Sequence, residues 1–237
     1  GDAEKDAAAE SADAIVVRLY KITPALLERC PSLKAVIKHG IGVDNIDIEA
    51  ATRHGAIVAN TPAGPNAPSV AEGAVALILA AMRKLRERHE AVVSNRFMES
   101  RNGVVTNALW GKTLGLVGFG QIGRIAGRIC ARGFDCKVLA FDPWAPADVF
   151  EAEGVKRVDS LDDLLRQADV VSVHAPLTPE TRGLIGAREL ESMKRDAIIV
   201  NTACGGIIDE DALAAALSGR AIPRARLHFF LYVSLAP

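Results

Sequence analysis

The chain has 237 residues, 49% of them hydrophobic and 24% charged, and 28 Lys plus Arg against 29 Asp plus Glu leave a formal charge of -1. Such a length suits one large or two small domains, and the composition excludes collagen, disorder and supercharging. The balanced charge lacks the basic surplus that a phosphate backbone demands, which excludes a nucleic-acid partner. The most strongly apolar run, Ala74 to Met82, is far shorter than the roughly 20 residues of a membrane-spanning helix, so no membrane partner is expected. The opening GDAEKDAAAE has no apolar signal region. Cys30, Cys130, Cys136 and Cys204 lack the paired short spacings of a zinc site, so no metal and a reducing cytoplasm are expected.

From Ala14 the sequence alternates short β-branched runs with helical patterns, the signature of an α/β protein with a parallel sheet. AIVVRL (14–19) reads as a strand. Thr23 caps a helix that begins at Pro24 and ends at Cys30-Pro31, because proline at the first helical position sacrifices no hydrogen bond. A strand at Ala35 to Lys38 follows, then the turn HGIGVDN, a helix from about Asp47 to His54 stopped by Gly55, and the strand AIVAN. The proline-rich TPAGPNAP (61–68) must be loop. After it, Ser69 and Glu72 fit a capping box. Val70, Ala74, Leu77, Ala81 and Leu85 form one apolar stripe of a long helix whose end, RKLRER (83–88), reads as a solvated basic face. This helix is expected to connect a domain over 1–90 to one over 91–237.

A second alternating series starts at Thr113: TLGLVG, helix, KVLAFD, helix, VKRV, helix, VVSVHA, helix and AIIVN, which predicts a doubly wound sheet. Gly118-Phe119-Gly120-Gln121-Ile122-Gly123 reads G-x-G-x-x-G. It follows a strand directly, opens a helix from Gln121, and is followed by a strand ending in Asp142. Gly118 permits the tight turn, Gly120 lets backbone approach a pyrophosphate, and Gly123 allows helix to meet strand. The helix N-terminus then offers open N–H groups to the anion. A carboxylate at Asp142 can accept from both ribose hydroxyls and would repel a 2′-phosphate, so NAD is favoured over NADP. Gly111-Lys112-Thr113 imitates the end of a P-loop, but Thr106 replaces the leading glycine and the triplet enters a strand, so triphosphate chemistry is rejected.

With these residues in place the chain resembles the NAD-dependent D-2-hydroxyacid dehydrogenases, in particular their phosphoglycerate dehydrogenase and hydroxypyruvate reductase group. The resemblance runs from about Ala12 to Arg220 through KHGIGVDNIDIEAATRHGAIVANTP, SVAEGAVALILA, GLVGFGQIGRIAGRI, VLAFDP, DVVSVHAPLTPETRGLIG and IIVNTACGGIIDEDALAAAL. It implies a Rossmann domain with a doubly wound parallel sheet and a partial flavodoxin-like substrate domain. It also implies a small 2-hydroxy acid substrate bound in the cleft between them, and a homodimer formed through the NAD domain. By the same resemblance the backbone around Gly40, Ile41 and Gly42 would meet the substrate carboxylate, and Val70 would lie near the nicotinamide. Phe119 to Ile122 would bind pyrophosphate. His174, Ala175, Pro176 and Thr178 would line the adenine and ribose side, and Thr202 and Ala203 would complete the cofactor contacts. His174 is expected as a neutral contact rather than a general base.

Two departures from the family pattern stand out. The family's substrate-binding arginine lies in a motif resembling NTARGG, whereas this chain reads Asn201-Thr202-Ala203-Cys204-Gly205-Gly206. A thiol at Cys204 cannot offer a planar cationic fork to a carboxylate. After Arg220 the family continues into a strand resembling AGAGLDVF and then supplies a glutamate and a histidine. Here AIPRARLHFFLYVSLAP follows, where His228 comes too early to serve and HFFLYV is expected to cover a sheet edge only in part. The family's opening βα unit also has no counterpart. Three accounts fit: a dehydrogenase fragment whose last residues come from a misread frame, an NAD-binding pseudoenzyme or regulatory module, and an active dehydrogenase of altered specificity.

Overall fold

Parallel pairing organises both parts of the chain, and the computed structural model describes residues 2–61, 64–103, 105–218 and 224–227. The chain divides into two compact units, Gly1–Gly64 and Pro65–Pro237. The first begins with helix α1 (Asp2–Glu10), which the sequence reading did not anticipate, followed by β1 (Ala14–Val17). Helix α2 (Pro24–Glu28) starts as expected, with Thr23 Oγ1 accepting from Leu26 N–H at 3.3 Å. Then come β2 (Ala35–Lys38), α3 (Ile48–His54) and β3 (Ile57–Asn60). Helix α3 is bracketed by Asp47, whose carboxylate accepts from Ala50 N–H at 2.8 Å, and by Gly55 at φ +86°, where left-handed backbone favours glycine. The three strands lie in the order β1-β2-β3, the consecutive run that closes the 2-1-3-4-5 sheet of flavodoxin-like folds. Their core is Val17, Ile22, Leu26, Leu27, Val36 and Ala51.

The second unit opens with α4 (Ala67–Met82), which differs from expectation in three ways. It starts at Ala67, before Ser69, with Pro68 in its first turn, where the missing N–H is not needed. Its buried stripe is Ala67, Ala71, Ala74, Val75, Ile78, Ala81 and Met82, with Leu85 outside it and exposed. Lys84 adopts φ +49° and breaks the long helix, so α5 (Leu85–Val93) and α6 (Phe97–Gly103) follow as separate helices. The unit boundary falls at Gly64 and Pro65 rather than near residue 90, because α4 buries its stripe in the same core as Leu114, Leu116 and Val200. The stretch Gly64–Met82 is long and apolar enough by length and composition to cross a membrane, which the nine-residue run in the sequence did not suggest. Its buried stripe marks it as a core helix of the second unit.

Beyond it the chain runs β4 (Thr113–Val117), α7 (Gln121–Phe134), β5 (Lys137–Phe141), α8 (Ala147–Glu153), β6 (Lys156–Arg157), α9 (Leu161–Gln167), β7 (Val170–Val173), α10 (Ala187–Ser192), β8 (Ile198–Asn201), α11 (Glu210–Ser218) and β9 (Arg224–Leu227). The strand order β6-β5-β4-β7-β8-β9 is the Rossmann order 3-2-1-4-5-6, parallel at every pairing. The sixth place, for which the sequence offered no family-like strand, is held by Arg224–Leu227 in register with Ile198 to Asn201. Backbone pairing requires no particular side chains, so RARL can serve there without the family's pattern. His228 and HFFLYV lie outside the described residues.

Candidate functional site

One register row determines where the cofactor residues stand. Phe141 pairs with Val117, Val117 with Val173, and Val173 with Asn201. The residues that follow, Asp142, Gly118, His174 and Thr202, therefore lie side by side across four neighbouring strand ends. Between β4 and β7 the strand order reverses, which makes this carboxyl edge the topological switch point where open α/β sheets take their ligands.

At that point the turn leaves no latitude for side chains. Gly118 sits at φ +93°, and a Cβ there would lie 2.7 Å from Ala175 N and 2.8 Å from the His174 carbonyl carbon. A Cβ on Gly123 would meet Gly118 O at 2.5 Å. Gly120 differs, since nothing lies within 4 Å of its missing Cβ and the residue is exposed. Open space over backbone at the head of a helix is the form a pyrophosphate cradle takes. The first i to i-4 bond of α7 runs from Arg124 N to Gly120 O at 3.0 Å, so the amides of Gln121, Ile122 and Gly123 precede it.

Two polar atoms on this edge are buried without a hydrogen-bond partner, His174 Nδ1 and Thr202 Oγ1. Such atoms are rare in folded proteins, and a pair at adjacent strand ends fits a polar ligand. The other ring nitrogen, His174 Nε2, lies 2.9 Å from Ser172 Oγ. Burial pushes the His174 pKa down to about 4, so the ring is neutral at physiological pH. Half-buried Val70 lies in the first turn of α4, which packs on β8.

Some contributors were not visible in the sequence. Phe119 was expected at the pyrophosphate, yet its ring is buried and stacked on Phe150 at 4.7 Å, and its N–H donates to Asp142 Oδ2 at 2.8 Å. Phe119 therefore anchors the turn. The other Asp142 oxygen accepts from Trp144 N at 3.0 Å and Ala145 N at 3.1 Å, so this carboxylate organises two loops. Buried Thr181 ties the loop of Ala175, Pro176 and Thr178: its hydroxyl donates to Pro176 O at 2.6 Å and accepts from Thr178 N at 2.8 Å. Asn201 accepts from Ala203 N at 2.9 Å and donates to Cys204 O at 3.0 Å, which holds half-buried Cys204 in place. The motif around position 204 is thus folded although its arginine is replaced.

The substrate-loop residues lie in the first unit. Gly40 adopts φ +147°, with its N–H donating to Lys38 O at 3.0 Å. Exposed Ile41 accepts from Asn60 Nδ2 at 2.8 Å, and a Cβ on Gly42 would reach Asp44 Oδ1 at 3.0 Å. Lys38, unremarked in the sequence, is buried and donates to Arg18 O at 2.6 Å and to Asn45 Oδ1. The signal available was a lysine inside the apolar strand AVIK. Among the described residues, no group of three or more His, Cys, Asp or Glu could hold a metal ion.

Residues 75–231 match the family described as D-isomer specific 2-hydroxyacid dehydrogenase, NAD binding domain. The chain is 41% identical over 223 residues to D-3-phosphoglycerate dehydrogenase of Methanocaldococcus jannaschii, covering 93% of this chain and 42% of that protein. With D-3-phosphoglycerate dehydrogenase of Bacillus subtilis it shares 41% identity over 220 residues, covering 92% of this chain and 41% of the relative. It spans about two fifths of the length of these relatives. Among solved structures, D-lactate dehydrogenase from Aquifex aeolicus complexed with NAD and lactic acid superposes with a TM-score of 0.86 at 31% identity, over 95% of this chain and 67% of that one. Granulicella formate dehydrogenase gives a TM-score of 0.88 at 27% identity, over 98% of this chain and 62% of that one. A Rossmann order, a glycine turn that only glycine can make, and a family match across most of the second unit agree: the chain belongs to the D-isomer-specific 2-hydroxyacid dehydrogenases and carries their NAD-binding domain.

Proposed function

We propose that the protein is an NAD-dependent oxidoreductase of the D-2-hydroxyacid dehydrogenase type, acting between NAD and a 2-hydroxy or 2-oxo acid of the phosphoglycerate or glycerate kind. The observation that carries this reading is the row of Asp142, Gly118, His174 and Thr202 at the switch point, with open space over Gly120. The amides of Gln121 and Ile122 would hold the pyrophosphate, and the remaining lone pair on Asp142 Oδ2 the ribose. His174 Nδ1 and Thr202 Oγ1 would gain the partners they lack. NAD, when bound, supplies the hydride acceptor at its nicotinamide. In the first unit, the backbone of Gly40, Ile41 and Gly42 would receive the substrate carboxylate. Cys204, where the family has arginine, contributes no positive charge to bind it, so turnover by this chain is expected to be impaired.

A second reading, an NAD-binding regulatory module without turnover, is favoured by Cys204 itself, because the surrounding loop keeps its hydrogen bonds while the cationic group is gone. Titrating the protein with NADH and NADPH by fluorescence tests the cofactor reading: tighter NADH binding is expected, and equal or inverted affinity overturns it. Steady-state assay with D-3-phosphoglycerate tests the second reading, since turnover clearly above background excludes a module without turnover. The proposal includes a reducing cytoplasm and a homodimer through the cofactor domain. Val92, Val93, Phe97 and Met98 support the dimer, being exposed apolar side chains on α5 and α6, which pack on each other. Sedimentation should show a dimer that F97E/M98E dissociates.

A further inference from the structure

A cavity of the second unit lies away from the carboxyl edge. It lies at the amino ends of β4 and β5, reached by Thr113 and Lys137, with a volume of about 710 Å³. Strand β5 separates it from Asp142 by about 15 Å at the usual strand rise. Six cations line it, Arg128, Arg132, Lys137, Lys156, Arg166 and Lys194, against a single lining carboxylate, Glu153. Three of the six are already paired: Arg128 with Glu153 at 3.3 Å, Arg166 with Asp162 at 3.2 Å, and Lys194 with Asp169 at 2.9 Å. Among the described residues Arg132, Lys137 and Lys156 have no ion-pair partner, and they come from the end of α7, the start of β5 and β6. In a chain whose total charge is -1, three unpaired cations converging on one cavity concentrate positive potential there.

Size and wall narrow the ligand class. The volume lies within the range of small-molecule sites and far exceeds a single phosphate. Part of the wall is apolar, with Ala131 and Val155 at its surface and the buried Val138 and Leu139 behind them, so a ligand with an uncharged body would find a surface for it. Cys136 also lines the cavity, but its thiol donates to Leu109 O at 3.4 Å and is buried, which leaves recognition to the cations.

We propose that this cavity is a second anion site, separate from the dinucleotide turn, for a nucleotide-sized polyphosphate. The charge would rest on Arg132, Lys137 and Lys156, and the uncharged body on the apolar wall. Arginine and lysine are the side chains suited to phosphate oxygens, and the attraction should weaken with salt. The test uses the 237-residue protein saturated with NADH, so that the cofactor turn is filled, and measures ATP and inorganic tripolyphosphate by titration calorimetry. Both should bind, ATP at least five-fold more tightly because of the apolar wall. In R132E/K156E both should lose at least ten-fold in affinity. These two exposed side chains have no ion pair to lose among the described residues, so a melting transition matching that of the parent verifies the fold. The proposal is overturned if ATP affinity is the same in the variant, or if ATP binds no more tightly than tripolyphosphate. The same measurements without NADH keep the outcome separate from the cofactor reading.

Discussion

Asp142 accepts a hydrogen bond from Phe119 N–H at 2.8 Å, joining the end of β5 to the glycine turn at the end of β4. The residue expected to grip a ribose is thus also a structural brace, with Trp144 and Ala145 amides on its second oxygen. A hydrogen bond to a charged group contributes about 1.5 to 3 kcal/mol, discounted here because the residue is half-exposed. D142A should therefore lower unfolding free energy by about 2 kcal/mol in urea titration and weaken NADH binding together. A variant of unchanged stability with only its NADH preference altered would show that the brace is idle.

Gly118 and Gly120 make opposite predictions although both belong to one motif. G118A forces a side chain into left-handed backbone and against the His174-Ala175 peptide, so it should cost at least about 2 kcal/mol of stability. G120A places its methyl in open space and should leave the melting temperature within about 1 °C, while reducing NADH affinity at least ten-fold. Equal NADH affinity for G120A and the parent would remove the pyrophosphate from this turn.

His174 gives a pH signature. Its unfolded pKa is near 6.5 and its folded pKa about 4, so between these values the unfolded chain binds more protons and stability falls as pH drops. Integrated over that window, the loss is up to about 3 kcal/mol. In H174Q the dependence between pH 6.5 and 4.5 should flatten, as read by urea midpoints at each pH. An unchanged slope would place the titration elsewhere.

Cys204 supports a rescue experiment. C204R should leave NADH affinity within about three-fold of the parent, because the Asn201 bonds that hold the loop run to the backbone of positions 203 and 204. Turnover of D-3-phosphoglycerate should stay near background, since a carboxylate clamp alone supplies no proton transfer and His174 is half-buried and neutral. Substantial turnover in C204R would show that another group already moves the proton.

The sequence alone determined the α/β class, nearly every strand, the glycine turn, Asp142 and the missing arginine, because local patterns govern them: β-branched runs, helix caps, and backbone that only glycine can follow. Tertiary structure decided where α4 buries its stripe, and hence where the units divide, because burial depends on the partner surface and not on periodicity alone. It also showed that Asp142 braces the turn, that Phe119 belongs to the core, and that RARL occupies the sixth strand position. The convergence of Arg132, Lys137 and Lys156 on one cavity was hidden for the same reason. Residues distant in sequence become neighbours only through sheet order, and nothing in the chain's local pattern records that order.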